Sequence, residues 1–202
     1  MKSRWFLPCA FSRTLLLGLV CQMAWAAEHE RAAHLDDATL KAEAGALVQS
    51  FATSLQAELK EAIARDGMAA AIAVCRTRAP EIARSLSTDG WHVGRTSLRT
   101  RNADNEADAW EQAMLQQFDG ARLAGESFET LVVTSRQTTP EGDVFRFMKA
   151  IPVQSLCLGC HGTDLAPDVQ AALASNYPLD MATGYLEGEV RGAFTLTKRL
   201  QK

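Results

Sequence analysis

Cysteine and histidine are scarce in this chain, five and four in 202 residues, and tyrosine occurs only twice. Only one CxxC is present and no HxxxH pair accompanies it, so the usual four-ligand structural zinc site has no obvious donor set. Basic residues do not dominate: 21 Lys and Arg stand against 24 Asp and Glu, a net charge of −3, which argues against nucleic acid as a partner. Internal repeats, low-complexity tracts and a charged tail are all missing, which removes solenoids and leaves no sign of a second folded domain. Long hydrophobic runs are missing too. The run "TLLLGLV" is short for a membrane span and sits near the N-terminus.

That run belongs to a distinctive leader. Lys2, Arg4 and Arg13 precede it with no acidic residue, and Ala24-Trp25-Ala26 follows as a small-x-small pattern. The pattern predicts a secretory signal peptide over 1–26, cleaved after Ala26, and a single domain over 27–202 exported to the periplasm with no membrane attachment afterwards. Cleavage removes three basic residues and moves the net charge to about −6. It also removes Cys9 and Cys21, leaving Cys75, Cys157 and Cys160. Three cysteines in an oxidising compartment cannot all pair within one chain.

The exported part opens on apolar residues at helical spacing. Ala44, Leu47, Val48, Phe51, Leu55 and Leu59 predict a helix from Asp36 to near residue 65. Met68, Ile72, Cys75, Ala79 and Ile82 share one face of a second helix, with a kink or a fresh start expected at Pro80. The period then changes. Strands are expected at 91–102, 129–135, 143–153 and 188–200, a helix at 103–125 with Trp110, Met114, Leu115 and Phe118 on its apolar side, and a short helix near 167–174. Strands at hairpin-like separations favour an antiparallel sheet with helices on one side, an α+β fold.

Between the last two strands lies "SLCLGCHG", with Cys157, Cys160 and His161 adjacent. Two thiols three positions apart can each form a thioether with one haem vinyl group, and the neighbouring imidazole can bind the iron. A thioredoxin-like redox motif wants a CxxC opening a helix within an α/β unit, and a plain disulfide is the blandest alternative. The position is late for the common small cytochromes, and the glycine, prolines and β-type segment that follow do not suit a four-helix-bundle cytochrome.

Four stretches carry a resemblance: "AAAIAVCRTRAPEIA" (69–83), "GRTSLRTRNADNEADAWE" (94–111), "FRFMKAIPVQSLCLGCHG" (145–162) and "YPLDMATGYLEGEVRGAF" (177–194). Together they make the chain similar to the single-haem, PAS-like c-type haem domain family, found alone or fused to bacterial signalling proteins. One departure is Asn102-Ala103, where the family tends to have Asn-Pro. The resemblance implies a PAS-like antiparallel β-sheet with two N-terminal helices and one covalent c-type haem, held by a CxxCH loop. It implies His161 as proximal ligand and Cys75 as the second axial ligand.

The residues alone leave Cys75 open between a ligand and a small buried core residue, since its helical face is otherwise apolar. The other candidates for the second axial position are Met181, Met148, Met114, His92, His34 and His29. Phe145, Phe147 and Ile151 are candidate pocket walls, and Arg146 or Arg191 a candidate partner of a haem propionate. These readings point to a redox sensor or a sensor of small molecules such as NO or CO. A periplasmic electron-transfer cytochrome with a redox partner protein is the alternative. A peroxidase-type enzyme ranks last because acid–base residues are few; no catalytic residue is assigned.

Overall fold

A computed structural model describes residues 36–200. The expected leader, the cleavage point after Ala26, Cys9, Cys21, His29 and His34 lie outside the described residues. The chain divides at Asp36 and Asp37, and the unit described here begins at Asp37.

Helices α1 (Asp37–Asp66) and α2 (Ala71–Leu86) form where the apolar spacing anticipates them. Leu40, Ala44, Val48 and Phe51 are buried on α1, and Ile72, Ala79 and Ile82 on α2. Gly67 ends α1 with φ at 84°, and its N–H donates to the Ile63 carbonyl at 3.0 Å. The expected fresh start at Pro80 does not occur: α2 runs through it. Proline deprives the Arg76 carbonyl of its helical donor. Burial of Ala79 and Ile82 on either side holds the helix together despite that loss.

Strand β1 (Trp91–Thr96) is followed by a short 3-10 turn (Ala103–Asn105) and α3 (Ala109–Leu123). The hairpin β2 (Val132–Thr139) and β3 (Gly142–Pro152) comes next. Helices α4 (Ser155–His161) and α5 (Pro167–Asn176) and strand β4 (Val190–Arg199) complete the described chain. The expected strand over 91–102 ends at Thr96 because the Ser97 N–H is taken by the Asn105 carbonyl at 3.2 Å, and the Ser97 hydroxyl by the Arg191 carbonyl at 2.9 Å. The expected helix over 103–125 starts only at Ala109. Asp108 caps it: its carboxylate accepts the Glu111 N–H at 2.9 Å while Glu111 accepts the Asp108 N–H at 3.0 Å.

The sheet is antiparallel throughout in the order β1-β4-β3-β2. An α+β fold with two N-terminal helices on an antiparallel sheet is therefore observed, with one correction: helices cover both faces. Trp91, Val93, Phe145, Phe147, Phe194 and Leu196 pack against α1 and α2. Met148, Ala150 and Ala193 on the opposite face pack against Leu115 and Phe118 of α3. Beyond Arg146, β3 carries Phe147 and Ile151 on one face and Met148 and Ala150 on the other, with Lys149 the one polar residue, and a strand buried on both sides needs two layers. No helix among the described residues is long and apolar enough to cross a membrane.

Glu43 ties α1 to the sheet. It accepts from Lys198 Nζ at 2.8 Å and from Trp91 Nε1 at 3.0 Å. The Lys198 bond, then the Trp91 bond, hold its carboxyl below the usual value against the opposing cost of burial. A carboxyl lowered on folding adds stability above its unfolded pKa and loses it as pH falls through the folded one. Wild type should therefore lose more stability than Glu43→Gln as pH falls from about 5 towards 3. Urea unfolding of both proteins across that range measures the difference, and parallel curves would discount the contact.

Candidate functional site

The CxxCH stretch is not the loop that the resemblance implies. Ser155–His161 is a short helix, α4, with Gln154 at its N-cap. Leu156 and Leu158 are its good helix formers, Gly159 lies within it, and the chain leaves the helix at Gly162. Cys157 and Cys160 stand about one turn apart as half-buried free thiols. Cys157 joins Val153, Ala182 and Tyr185, while Cys160 joins Ile72, Leu165, Val169, Leu173 and Tyr177. Burial, the largest influence, pushes the Cys160 thiol up and keeps it neutral.

Helix α2 lies against this region. A Cβ on Gly159 would fall 2.7 Å from Cε of Met68, so a glycine there allows the α1–α2 junction to approach α4. Arg76 of α2 donates to Asn176 at the end of α5 at 3.1 Å. Cys75 is near enough to Cys160, Tyr177 and Arg95 to influence the charge of each. The structure thus gathers Cys75, Cys157, Cys160 and His161, from two separate parts of the sequence, into one neighbourhood.

His161 Nδ1 lies 2.6 Å from the Ala182 carbonyl. A carbonyl only accepts, so this nitrogen carries the proton and the Nε2 lone pair is free. Arg191 Nε approaches the same Nδ1 at 3.2 Å. Arginine only donates, so this cannot be a hydrogen bond in the same tautomer, and the shorter carbonyl contact decides. Burial first, then the positive charges of Arg191 and Arg101, push His161 well below its usual range, so the imidazole is neutral.

Arg101 reaches Asp180 with Nε at 3.0 Å, and with Nη2 the carbonyls of Cys160 at 2.5 Å and Ala182 at 3.3 Å. Arg191 donates with Nη1 to Ser97 Oγ at 2.9 Å and the Arg99 carbonyl at 3.2 Å, and lies over the Tyr185 ring. Arg95 lies over Phe51, 5.4 Å from the ring centroid, and makes no hydrogen bond or ion pair among the described residues. Desolvation lowers both Arg95 and Arg191. Asp180 balances Arg101, so the other two cations are left without a carboxylate partner.

Arg146 is corrected as a propionate partner. It sits on the α3 face of the sheet, bound to Glu111 at 3.1 Å and Asp108 at 2.7 Å, with its guanidinium over Trp110. Arg191 does face the site. Phe145 and Phe147 are filled core beneath α1, and Ile151 packs at the edge of the same cluster. Met148 and Met114 belong to the α3 cluster, while His92 and Met181 are exposed. Arg95, Arg101 and Asp180 were not singled out from sequence. Arg95 carries a signal in retrospect, since alternation puts it on the same face as the buried Trp91 and Val93.

The four quoted stretches supply nearly every residue of this neighbourhood. The model of the Tll0287-like family matches residues 28–198, a span that contains all four. The chain belongs to the Tll0287-like family. Among solved structures, the crystal structure of the cyanobacterial heme-protein Tll0287 is 28% identical, with 64% of this chain and 74% of that chain covered and a TM-score of 0.49. No curated protein matches. The family's span takes in α1 through β4 almost entire, so the fold described above is the family domain.

Proposed function

We propose that the chain is an exported monohaem protein of the c type that senses redox state or a small molecule. The observation that carries this reading is α4: two free thiols about a turn apart, followed by a neutral imidazole whose Nδ1 is engaged and whose Nε2 is available. The residues fit the group in two further ways. Cys75 supplies a third thiol within electrostatic reach of Cys160. Arg95 and Arg191 are cations without carboxylate partners, the charge that suits a haem propionate.

A haem held there supplies a one-electron couple and an iron whose axial ligand can exchange. Cys157 and Cys160 would attach it through thioethers, and His161 and Cys75 would supply the ligands to its iron. Arg95 and Arg191 balance charge around the site. A displaceable Cys75 thiolate would make the site a two-state element of the kind a switch requires. Export through residues 1–26 brings the thiols to an oxidising compartment, and N-terminal sequencing of the exported protein should begin at Ala27.

Purified protein should carry one haem that denaturation and acid–acetone extraction do not remove, and Cys157→Ala/Cys160→Ala should carry none covalently. Cys75→Ser should lose the six-coordinate low-spin ferric signal in electronic and EPR spectra. Spectra unchanged from wild type would remove Cys75 from the iron. Binding of CO or NO by the reduced wild-type protein supports sensing.

A second reading is an electron carrier. Leu179, Met181 and Leu186 are exposed on the segment that runs beside α4, and such apolar side chains suit contact with a redox partner. Refusal of CO and NO in both redox states, together with fast electron exchange, would favour it.

A further inference from the structure

We propose that the buried Arg101–Asp180 pair is a positioning device for His161, acting through the Ala182 carbonyl. The inference rests on the haem reading for what His161 binds, and on the structure alone for how the imidazole is held.

The pair is nearly closed to solvent, with the two side chains 7% and 10% exposed. A buried ion pair of this kind rarely improves stability over apolar replacements, which leaves its retention to be explained by what it orients. Asp180 serves two donors. One carboxylate oxygen accepts Arg101 Nε at 3.0 Å, and the other accepts the Ala182 N–H at 2.8 Å. The second bond places residue 182 directly. Arg101 then uses Nη2 to reach both the Cys160 carbonyl and the Ala182 carbonyl. The guanidinium thus links the last turn of α4 to the segment carrying the acceptor of His161 Nδ1.

Backbone bonds extend the same junction. The His161 carbonyl accepts from Tyr185 at 2.9 Å, and the Gly162 carbonyl from Gly184 at 2.8 Å. These tie the two segments but do not address the imidazole. Of the backbone groups only the Ala182 carbonyl does that, and residue 182 is held on both sides of its Cα, its N–H by Asp180 and its carbonyl oxygen by Arg101. Outer partners of a metal-binding histidine fix its tautomer and ring orientation. Arg101 and Asp180 stand one step further out, and their fork geometry is what lysine lacks.

The test uses Arg101→Lys and Asp180→Asn. Lysine keeps the charge but cannot span Asp180 and two carbonyls. Asparagine still accepts the Ala182 N–H but leaves Arg101 without its anion. Wild-type protein free of haem should show His161 protonated at Nδ1 by 15N NMR, and both variants should lose that single tautomer. Haem-loaded wild type should give one sharp ferric low-spin EPR signal, and the variants a broadened or split one. Variants that merely melt earlier, with the tautomer and EPR signal of wild type, would overturn the proposal. If either single variant does not fold, Arg101→Met/Asp180→Leu replaces the pair by apolar side chains and is read in the same way. A wild type without haem would sink the haem reading only, because the NMR measurement then decides the positioning.

Discussion

Gly192→Ala should destabilise the protein by about 4 kcal/mol, the sum of typical costs for backbone strain and for an intruding methyl group. Gly192 sits in β4 at φ of 155°, and a Cβ there would meet the Thr96 carbonyl oxygen at 2.4 Å and Ser97 Cβ at 3.1 Å. The obstacle is the end of β1, which cannot swing aside as a flexible side chain does. Next to it the β3–β4 register shifts between Ile151 and Pro152, so strain at residue 192 spreads across both neighbours of β4. The adjacent Arg191 carbonyl and side chain both reach Ser97, which links this close approach to the cation beside His161. Gly120→Ala is the control: a Cβ there meets nothing within 4 Å and the residue lies inside α3, so it should gain about 0.5–1 kcal/mol. Urea unfolding of the three proteins is the measurement. Equal midpoints for wild type and Gly192→Ala would contradict the close approach.

Phe51→Ala should cost about 3–5 kcal/mol and lower Tm by roughly 10 °C. Phe51 is 1% exposed, among the largest fully buried side chains, and lies tilted against Phe194 at 5.4 Å between ring centroids. Its other neighbour makes the change more than a cavity. The Arg95 guanidinium lies over the same ring, also 5.4 Å from the centroid. Removing the ring takes away both core volume and the aromatic platform beneath Arg95. Phe51→Leu separates the two effects. It nearly restores the volume, so most of the stability should return, at a cost below about 1.5 kcal/mol, while Arg95 still lacks its aromatic face. Haem-loaded Phe51→Leu should therefore approach wild-type stability yet differ from it in midpoint potential. Wild-type stability in Phe51→Ala would contradict the packing, and a wild-type potential in Phe51→Leu would contradict the role given to Arg95.

Much of the architecture was legible because hydrophobic periodicity is local. Leu40, Ala44, Val48 and Phe51 repeat at helical spacing and are buried together. The alternation that begins with Phe145 and Phe147 marks the strand that became β3. The misreadings have definite causes. At Pro80 the fresh start fails to appear because burial of Ala79 and Ile82 outweighs one missing hydrogen bond. The boundaries of β1 and α3 moved because Ser97 and Asp108 make bonds to residues 105, 191 and 111. The CxxCH segment is helical despite Gly159 within it, a glycine that the approach of Met68 requires.

By itself the sequence determined which atoms are available for chemistry: two thiols and an imidazole at fixed spacing, one further thiol on an apolar helical face, and the family pattern around them. Spacing along the chain is covalent, so no fold was needed to know it. Tertiary structure alone decided which charges surround those atoms. Arg146 and Arg191 look equivalent in sequence, yet strand register sends one under α3 to Glu111 and the other to His161. Arg101 and Asp180 are 79 residues apart and meet only because the segment after α5 returns alongside α4. A hydrogen bond acts over about 3 Å, and only the folded chain brings partners so distant in sequence to that separation.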